Sequence, residues 1–131
     1  MILVDTSIWI EVFAKPQRVD LERSLDLDDV VTCLPVVQEV LQGFADQRAY
    51  SVARESMLAL PRVEAPMGTE VFLEAAELYR AARRAGITPR SNVDCLIAVC
   101  ALRNQLTVFH RDRDFTQLAR IVPLQVLQPR G

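Results

Sequence analysis

Residues 1–9 read "MILVDTSIW". Three apolar residues, Ile2 to Val4, are followed at once by a carboxylate at Asp5 and by two hydroxyls at Thr6 and Ser7. A short unbroken apolar run is typical of a strand that is buried on both faces of a parallel sheet. An ionised carboxylate at the end of such a strand needs a partner. The stretch therefore predicts a first strand that carries Asp5 to a site shared with other polar groups.

The rest of the chain alternates strand-like and helix-like segments. Apolar runs predict further strands at 30–33, 107–110 and 124–128, with a short candidate at 63–66. Helical periodicity predicts helices at 6–15, 18–29, 36–44, 47–60, 69–86 and 91–105, and a helical turn at 116–120. This alternation predicts a single α/β domain over residues 1–131, with a central parallel sheet covered by helices on both faces.

Several residues are predicted to begin or end these helices. Thr6 or Ser7 is expected to cap the first one, and Thr69 the helix at 69–86. Gly86 is expected to end that helix, and Pro35 is expected at the first position of the helix that follows the second strand.

The composition is that of an ordinary globular domain, with 131 residues, 50% of them hydrophobic and 24% charged. The start "MILVD" lacks the basic leader of a signal peptide, and the longest apolar run, at 95–102, is too short to span a membrane. Cys33, Cys95 and Cys100 lie in apolar surroundings at spacings that match no zinc motif. We expect reduced core thiols in a cytoplasmic protein.

Acidic residues are expected to collect at one edge of the sheet, because ligands of open parallel sheets bind beyond the carboxyl ends of the strands. Asp5 ends the first strand, and Asp112 and Asp114 follow the strand "TVF". Glu39 lies in the helix after the second strand, and Asp94 lies in the first turn of the most apolar helix. Together they predict a carboxylate cluster.

Each of these acids also has an ordinary structural explanation. Asp94 fits a capping box in "SNVD", Asp112 or Asp114 can cap the helical turn, and Glu39 can be solvated. Taken jointly, however, clustered carboxylates would repel one another, and the only lysine is Lys15. Such a cluster requires a bound cation or shifted pKa values. Oxygen-only ligands favour Mg²⁺ or Mn²⁺, which suit phosphodiester hydrolysis.

The formal net charge of −2 at first argues against a nucleic-acid partner. Without Asp5, Glu39, Asp94 and Asp112, the formal net charge would be +2. The remaining surface is therefore mildly basic. Arg90, Arg111 and Arg113 lie close in sequence to the acids and are candidate contacts to a nucleic-acid backbone. The alternative for each is a solvated surface arginine.

Four segments of the sequence resemble the motifs of a known protein family. They are "VDTSIWIEVF" (4–13), "PVVQEVLQGF" (35–44), "SNVDCLIAVCA" (91–101) and "HRDRDF" (110–115). In this order they resemble the acidic blocks of PIN domains, and most closely those of the VapC toxin ribonucleases from bacterial toxin–antitoxin pairs. The resemblance covers essentially the whole chain.

The resemblance implies an endoribonuclease that uses Mg²⁺ or Mn²⁺ to cleave single-stranded RNA. The matching motif positions for catalysis and metal binding are Asp5, Glu39, Asp94 and Asp112, with Asp114 as a further metal ligand. Thr6 matches a supporting hydroxyl residue. His110 replaces a residue that is usually small and hydroxylated. We expect it to pack in the core or to contact the metal-ligating residues without binding the metal itself.

The resemblance also implies partners, namely a VapB-like antitoxin that covers the site and a second copy of the chain in a homodimer. The first helix offers one hint, because its apolar residues fall on more than one face: Ile8, Trp9, Ile10, Val12 and Phe13. Part of that surface is a candidate interface. Burial of Trp9 in the core is the alternative.

Other functions fit less well. An aspartate-nucleophile phosphatase needs a second Asp at position 7, which is Ser7 here, and a response-regulator receiver needs a lysine late in the chain. No phosphate-binding loop of the G-x-x-x-x-G-K type is present. The main non-enzymatic alternative is a PIN-fold interaction module that has lost catalysis, and the presence of all four core acids argues against it.

Overall fold

The centre of the protein is a parallel sheet of four strands in the order β2-β1-β3-β4. The structure, a computed structural model, describes residues 1–130. The strands are β1 (Ile2–Val4), β2 (Val30–Val31), β3 (Thr107–Phe109) and β4 (Gln125–Leu127). Within the described residues this is the predicted set, apart from the candidate at 63–66.

Both faces of the sheet are covered, as the unbroken apolar runs predict. Leu3 and Val4 are adjacent in β1 and so point to opposite faces, yet each is 0% exposed. Val108 and Phe109 show the same in β3, with exposures of 0% and 1%. The α/β class, with a parallel sheet between two helical layers, is confirmed.

Seven α-helices lie within residues 1–130. They are α1 (Thr6–Val12), α2 (Leu21–Ser24), α3 (Leu34–Gln42), α4 (Gln47–Leu58), α5 (Thr69–Arg84), α6 (Asn92–Asn104) and α7 (Arg113–Leu118). A short 3-10 turn spans Leu27–Asp29. None of the helices in this part of the chain has the length and apolar character needed to cross a membrane.

Helix α6 is the central helix, as its nearly continuous apolar sequence predicts. Its buried residues include Ile97, Ala98 and Cys100, and it packs against both α5 and α3. Gly86 follows α5 with a φ of 78°, a left-handed conformation that costs glycine little. The chain can therefore turn sharply from α5 into the segment that leads to Asp94.

The strand order creates the crevice in which the acids lie. From β1 the chain crosses to β2 on one side of the sheet, and from β3 it crosses to β4 on the other side. The strand order thus reverses between the neighbours β1 and β3, which is where open α/β sheets bind ligands. Asp5 directly follows β1, and Asp112 follows β3 by three residues.

Several predicted boundaries were wrong. Asp5 caps α1 in place of Thr6 or Ser7, because its side chain accepts the Ser7 N–H. Likewise, Gly68 rather than Thr69 is the cap of α5, and Pro35 is the second residue of α3 because the helix begins at Leu34. The stretch 18–29 divides into α2 and the 3-10 turn, and α1 ends at Val12 rather than near residue 15.

The prediction at 63–66 was also wrong. Residues 63–66 form a bend, and the isolated bridge nearby joins Thr32 to Arg62, just before this segment. The predicted turn at 116–120 begins earlier, because Asp112 caps a helix that already includes Asp114. The three cysteines are buried free thiols, as expected.

Candidate active site

Asp5 ends β1 with one carboxylate oxygen satisfied and the other unpaired. Its Oδ2 accepts the Ser7 backbone N–H at 3.0 Å and the Ser7 hydroxyl at 2.6 Å. Its Oδ1 is buried and has no hydrogen-bond partner. A buried, unpaired carboxylate oxygen is costly, so this atom marks a place where a cation would be stabilised.

Three further carboxylates form a compact trio. Asp94, Asp112 and Asp114 each offer an oxygen, and these three atoms lie within 4.8 Å of one another. Asp94 and Asp114 are buried, whereas Asp112 is half-buried. The trio joins the first turn of α6 to the start of α7, two segments that are about twenty residues apart in the sequence.

Glu39 lies on α3, close to Asp5. Thr6 donates its hydroxyl proton to Glu39 Oε1 at 2.8 Å, which holds this carboxylate towards the start of α1. The charge of Glu39 contributes to raising the pKa of Asp5. Glu39 is therefore part of the acidic site, and the Thr6 hydroxyl orients its carboxylate.

Two acids of the site, Asp5 and Asp94, have raised pKa values. Burial raises the pKa of Asp5 to about 6, although the hydrogen bonds from Ser7 oppose this shift. Burial is also the largest cause raising the pKa of Asp94 to about 9, followed by its hydrogen bond with Asp114 and by the charges of Asp112 and Asp5. The metal-free site therefore retains a proton at neutral pH, and its five acids form one electrostatic unit.

Asp94 does not act as the acidic partner of a capping box. Ser91 does cap α6, accepting the Val93 N–H at 3.2 Å, but the Asp94 carboxyl is hydrogen-bonded to Asp114. Asp112, by contrast, has two functions. Its Oδ1 accepts the Asp114 N–H at 2.9 Å and so caps α7, while the same carboxylate belongs to the acidic trio.

The comparison with known protein families agrees with this geometry. A sequence model described as "PIN domain" matches residues 2–121. The chain belongs to the PIN-domain family. Within that family it is similar to ribonuclease VapC11 of Mycobacterium tuberculosis, with 39% identity over 130 residues that cover 95% of this chain and 96% of the relative. VapC ribonuclease Mb1587 of Mycobacterium bovis matches with the same identity and coverage.

Solved structures show the same fold. VapBC2 from Rickettsia felis, bound to a promoter DNA fragment, superposes with a TM-score of 0.76 at 17% identity, covering 99% of this chain and 100% of that one. FitAcB from Neisseria gonorrhoeae superposes with a TM-score of 0.72 at 24% identity, covering 96% of each chain. The likeness concerns the fold of this PIN domain.

The arginines predicted to contact nucleic acid differ in their surroundings. Arg90 spans the site, since its backbone N–H donates to Asp114 at 2.8 Å and its guanidinium donates to Asp112 at 3.2 Å. Arg111 forms an ion pair with Glu11 of α1 at 2.6 Å. Arg113 is exposed in the first turn of α7. All three border the acids of this PIN domain.

His110 is a packing residue, as expected. It is 0% exposed, its ring lies 5.3 Å from that of Phe115, and its Nδ1 accepts the Asp112 N–H at 3.1 Å. Burial lowers the pKa of His110, which keeps the ring neutral and able to accept this bond. The imidazole thus shapes the loop that presents Asp112.

Two residues of the site escaped the sequence-based prediction. Ser7 hydrogen-bonds Asp5 and also accepts the Arg111 N–H at 3.0 Å, so it ties the end of β1 to the loop after β3. Glu11 holds the Arg111 side chain. Ser7 could have been suspected from its place beside Asp5, whereas nothing in the sequence pairs Glu11 with a residue 100 positions away.

The structure also tests the interface hint in the first helix. Ile8 and Trp9 are 0% and 6% exposed and belong to the core, so the apolar excess of α1 mainly reflects burial. Ile10 alone is strongly exposed there, at 61%. The other strongly exposed large apolar side chains include Phe72 and Leu73 on α5.

Proposed function

We propose that this PIN domain is a Mg²⁺- or Mn²⁺-dependent endoribonuclease that cleaves single-stranded RNA. The observation that carries the proposal is the joint geometry of the acids: a trio of carboxylates within 4.8 Å, next to a fourth carboxylate whose Oδ1 is buried and unpaired. The names of the VapC relatives, which are ribonucleases, support the same conclusion.

The donor set fits a hard divalent cation. Every candidate ligand is a carboxylate oxygen, and His110, the only histidine, is fully buried in packing and in the support of the Asp112 loop. Asp5, Asp94, Asp112 and Asp114 would hold the ion, which favours Mg²⁺ or Mn²⁺ over zinc. When bound, such an ion supplies positive charge at the scissile phosphodiester and lowers the pKa of a neighbouring water.

The residues of the chain perform the remaining tasks. Ser7 fixes the orientation of Asp5, and Thr6 holds one oxygen of Glu39 while leaving the other for a water or a ribose hydroxyl. Glu39 can then accept a proton from a group placed between α1 and α3. Arg90, Arg111 and Arg113 supply positive charge around the acids and would contact phosphates of the RNA.

We further propose that the protein acts in the cytoplasm as the toxin of a toxin–antitoxin pair, with a VapB-like antitoxin that covers the acidic site. The support is that the relatives are VapC proteins and that the similar solved structures are described as VapBC and FitAB assemblies. We also propose a homodimer, for which the exposed Phe72 and Leu73 offer apolar surface.

The test of the nuclease is cleavage of a labelled single-stranded RNA by the purified protein with Mg²⁺ or Mn²⁺. Asp5→Asn and Asp94→Asn should each lower the rate by roughly 100-fold or more while circular dichroism stays unchanged. Asp28→Asn, at an exposed acid in the 3-10 turn, is the matched control and should cut like the parent. A well-folded parent that never cuts, with either metal, would instead indicate a non-catalytic PIN-fold interaction module.

The partner proposals have separate tests. Sedimentation equilibrium of the parent and of Phe72→Ser/Leu73→Ser should give a dimer and a monomer, respectively. Equal masses would reject this face as the interface. Expression of this chain alone should arrest bacterial growth, and co-expression with a VapB-like antitoxin should restore it.

A further inference from the structure

A second cleft lies beside the acidic site, and arginine dominates its charge. It has a volume of about 300 Å³, and its lining includes Arg18, Arg23, Arg111 and Arg130, with Asp20 as the only acid among the residues that line it. These arginines come from four separate segments: the loop after α1, helix α2, the loop after β3 and the segment after β4. Of the four, only Arg111 lies close in sequence to the candidate acids.

The cleft is continuous with the acids through Arg111. This residue directly precedes Asp112, and its backbone N–H donates to the Ser7 hydroxyl at 3.0 Å, which in turn donates to Asp5 at 2.6 Å. Its guanidinium forms an ion pair with Glu11 at 2.6 Å. One residue therefore borders both the carboxylate cluster and the cleft.

The backbone around the cleft is anchored on each side. The Arg18 N–H donates to the Glu11 carbonyl at 2.9 Å, which holds the loop after α1 against the helix that carries the Arg111 partner. The His110 N–H donates to the Leu127 carbonyl at 3.0 Å, so the chain that leads to Arg130 runs alongside the loop after β3. The arginines thus project from a fixed frame.

The charges favour a polyanion. Asp20 lies 3.8 Å from Arg23 and cancels one positive charge, so four arginines against one acid leave the lining with a formal charge of +3. A single-stranded RNA must approach a cluster of five carboxylates, which repels it. A neighbouring basic cleft provides the compensating attraction for the phosphate backbone.

We infer that this cleft, lined by Arg18, Arg23, Arg111 and Arg130, binds the phosphates of the RNA strand that flanks the scissile bond. The inference rests on the proposed ribonuclease function and extends it with a path for the substrate. Arg18, Arg23 and Arg130 are contact residues outside the acidic site, so their removal should weaken the binding of long RNA and leave the carboxylates intact.

The experiment measures the anisotropy of a fluorescein-labelled 12-nucleotide oligouridine RNA bound to the Asp94→Asn protein in Mg²⁺, at several salt concentrations. Adding Arg18→Gln, Arg23→Gln and Arg130→Gln should weaken binding. It should also make the plot of log K against log salt shallower by about 2, at roughly 0.7 for each lost phosphate contact with single-stranded nucleic acid. Arg48→Gln/Arg54→Gln/Arg84→Gln, at exposed positions of α4 and α5, removes the same number of charges; it is the matched control and should preserve the slope.

The outcomes separate this inference from the proposed function. An unchanged slope in the triple variant, in a parent background that still cuts RNA, overturns the cleft and leaves the nuclease standing. A lowered slope in a protein whose parent never cuts RNA retains the cleft and rejects the nuclease. Equal binding of a 12-base-pair duplex DNA, with the same loss in the triple variant, would make the cleft a general polyanion site and overturn the RNA path.

Discussion

At the scale of the residue, Ser7 and Asp5 show how a buried carboxylate is kept in one orientation. The Ser7 hydroxyl donates to Asp5 and accepts from the Arg111 backbone, so one oxygen atom joins two strand ends that are 104 positions apart in the sequence. Asp5 is thereby left with one satisfied and one unsatisfied oxygen. The Ser7 hydroxyl therefore fixes the orientation of the Asp5 carboxylate.

Replacing Ser7 by Ala tests this arrangement. The change leaves Asp5 with only backbone donors and leaves the Arg111 N–H without its acceptor, so we expect a loss of about 1–3 kcal/mol in stability and a slower cleavage rate. Urea unfolding and RNA cleavage measure the two effects. Ser56→Ala removes an exposed hydroxyl that donates to the Val52 carbonyl at 3.1 Å, and it should change neither by a comparable amount. Equal effects of the two substitutions would contradict the orienting role of Ser7.

The raised pKa of Asp94 predicts how the stability of the metal-free protein depends on pH. In the folded, metal-free protein its pKa is raised to about 9 from an ordinary value of 3.8. The folded chain therefore binds this proton more tightly than the unfolded chain, and the resulting stability is complete below about pH 4 and is lost as the pH rises towards about 9. In EDTA, the stability of the parent relative to Asp94→Asn should fall across this range, measured by urea unfolding. A difference that does not vary with pH would show that Asp94 is not held protonated.

At the scale of the element, the strand-to-helix junctions give their acids two functions each. Asp5 caps α1 and Asp112 caps α7, and each keeps a carboxylate in the acidic site. From the sequence, capping and metal binding are alternatives for Asp112, whereas in the structure the same carboxylate caps α7 and lies in the acidic trio. A short helix that begins directly after a strand can hold its capping residue at the crevice edge, which explains why α7 begins at Arg113 and not at residue 116.

Gly86 offers a test of how α5 is joined to the site. Its φ of 78° strains any other residue, so Gly86→Ala should lower stability by about 1 kcal/mol, although the position has open space around it. Gly43→Ala is the matched control, because Gly43 has a φ of −79° and an added Cβ would lie 3.5 Å from the Val40 carbonyl oxygen, an ordinary contact. Thermal unfolding compares the two. A Gly86 variant at least as stable as the Gly43 variant would contradict the left-handed turn.

The strands and the acidic residues of the site could be predicted from the sequence. The side-chain contacts that join the strand ends could not. An apolar run followed by a carboxylate is a local signal, so Asp5 and Asp112 could be found without a structure. The pairing of Glu11 with Arg111, and the two bonds of Ser7, depend on β1 and β3 being neighbours in register. Such contacts arise from strand order, which a single sequence does not encode locally.

At the scale of the whole molecule, the charge distribution is the organising feature. A chain with a net charge of −2 concentrates five acids at the crevice between β1 and β3, and it places arginines around them, among them the four of the neighbouring cleft. The acids lower the stability of the metal-free fold through their mutual repulsion and the burial of charge. The metal-free fold is thus destabilised at the site where binding of a divalent cation and of an RNA phosphate would stabilise it.

The last prediction follows from that balance. Mg²⁺ or Mn²⁺ should raise the melting temperature of the parent, because at 100 times its dissociation constant a bound ion adds about 2.7 kcal/mol. For a chain of this length this corresponds to roughly 10 °C. Asp5→Asn/Asp94→Asn should melt higher than the parent in EDTA at neutral pH, since it removes the buried charge of Asp5 and the cost of keeping Asp94 protonated in the folded chain. It should show no shift with metal. Asp28→Asn/Asp29→Asn removes the same formal charge from the exposed 3-10 turn and should shift as the parent does. If the parent does not respond to millimolar metal, or if the two double variants respond alike, the carboxylates of the crevice do not form a cation site and their repulsion requires another explanation.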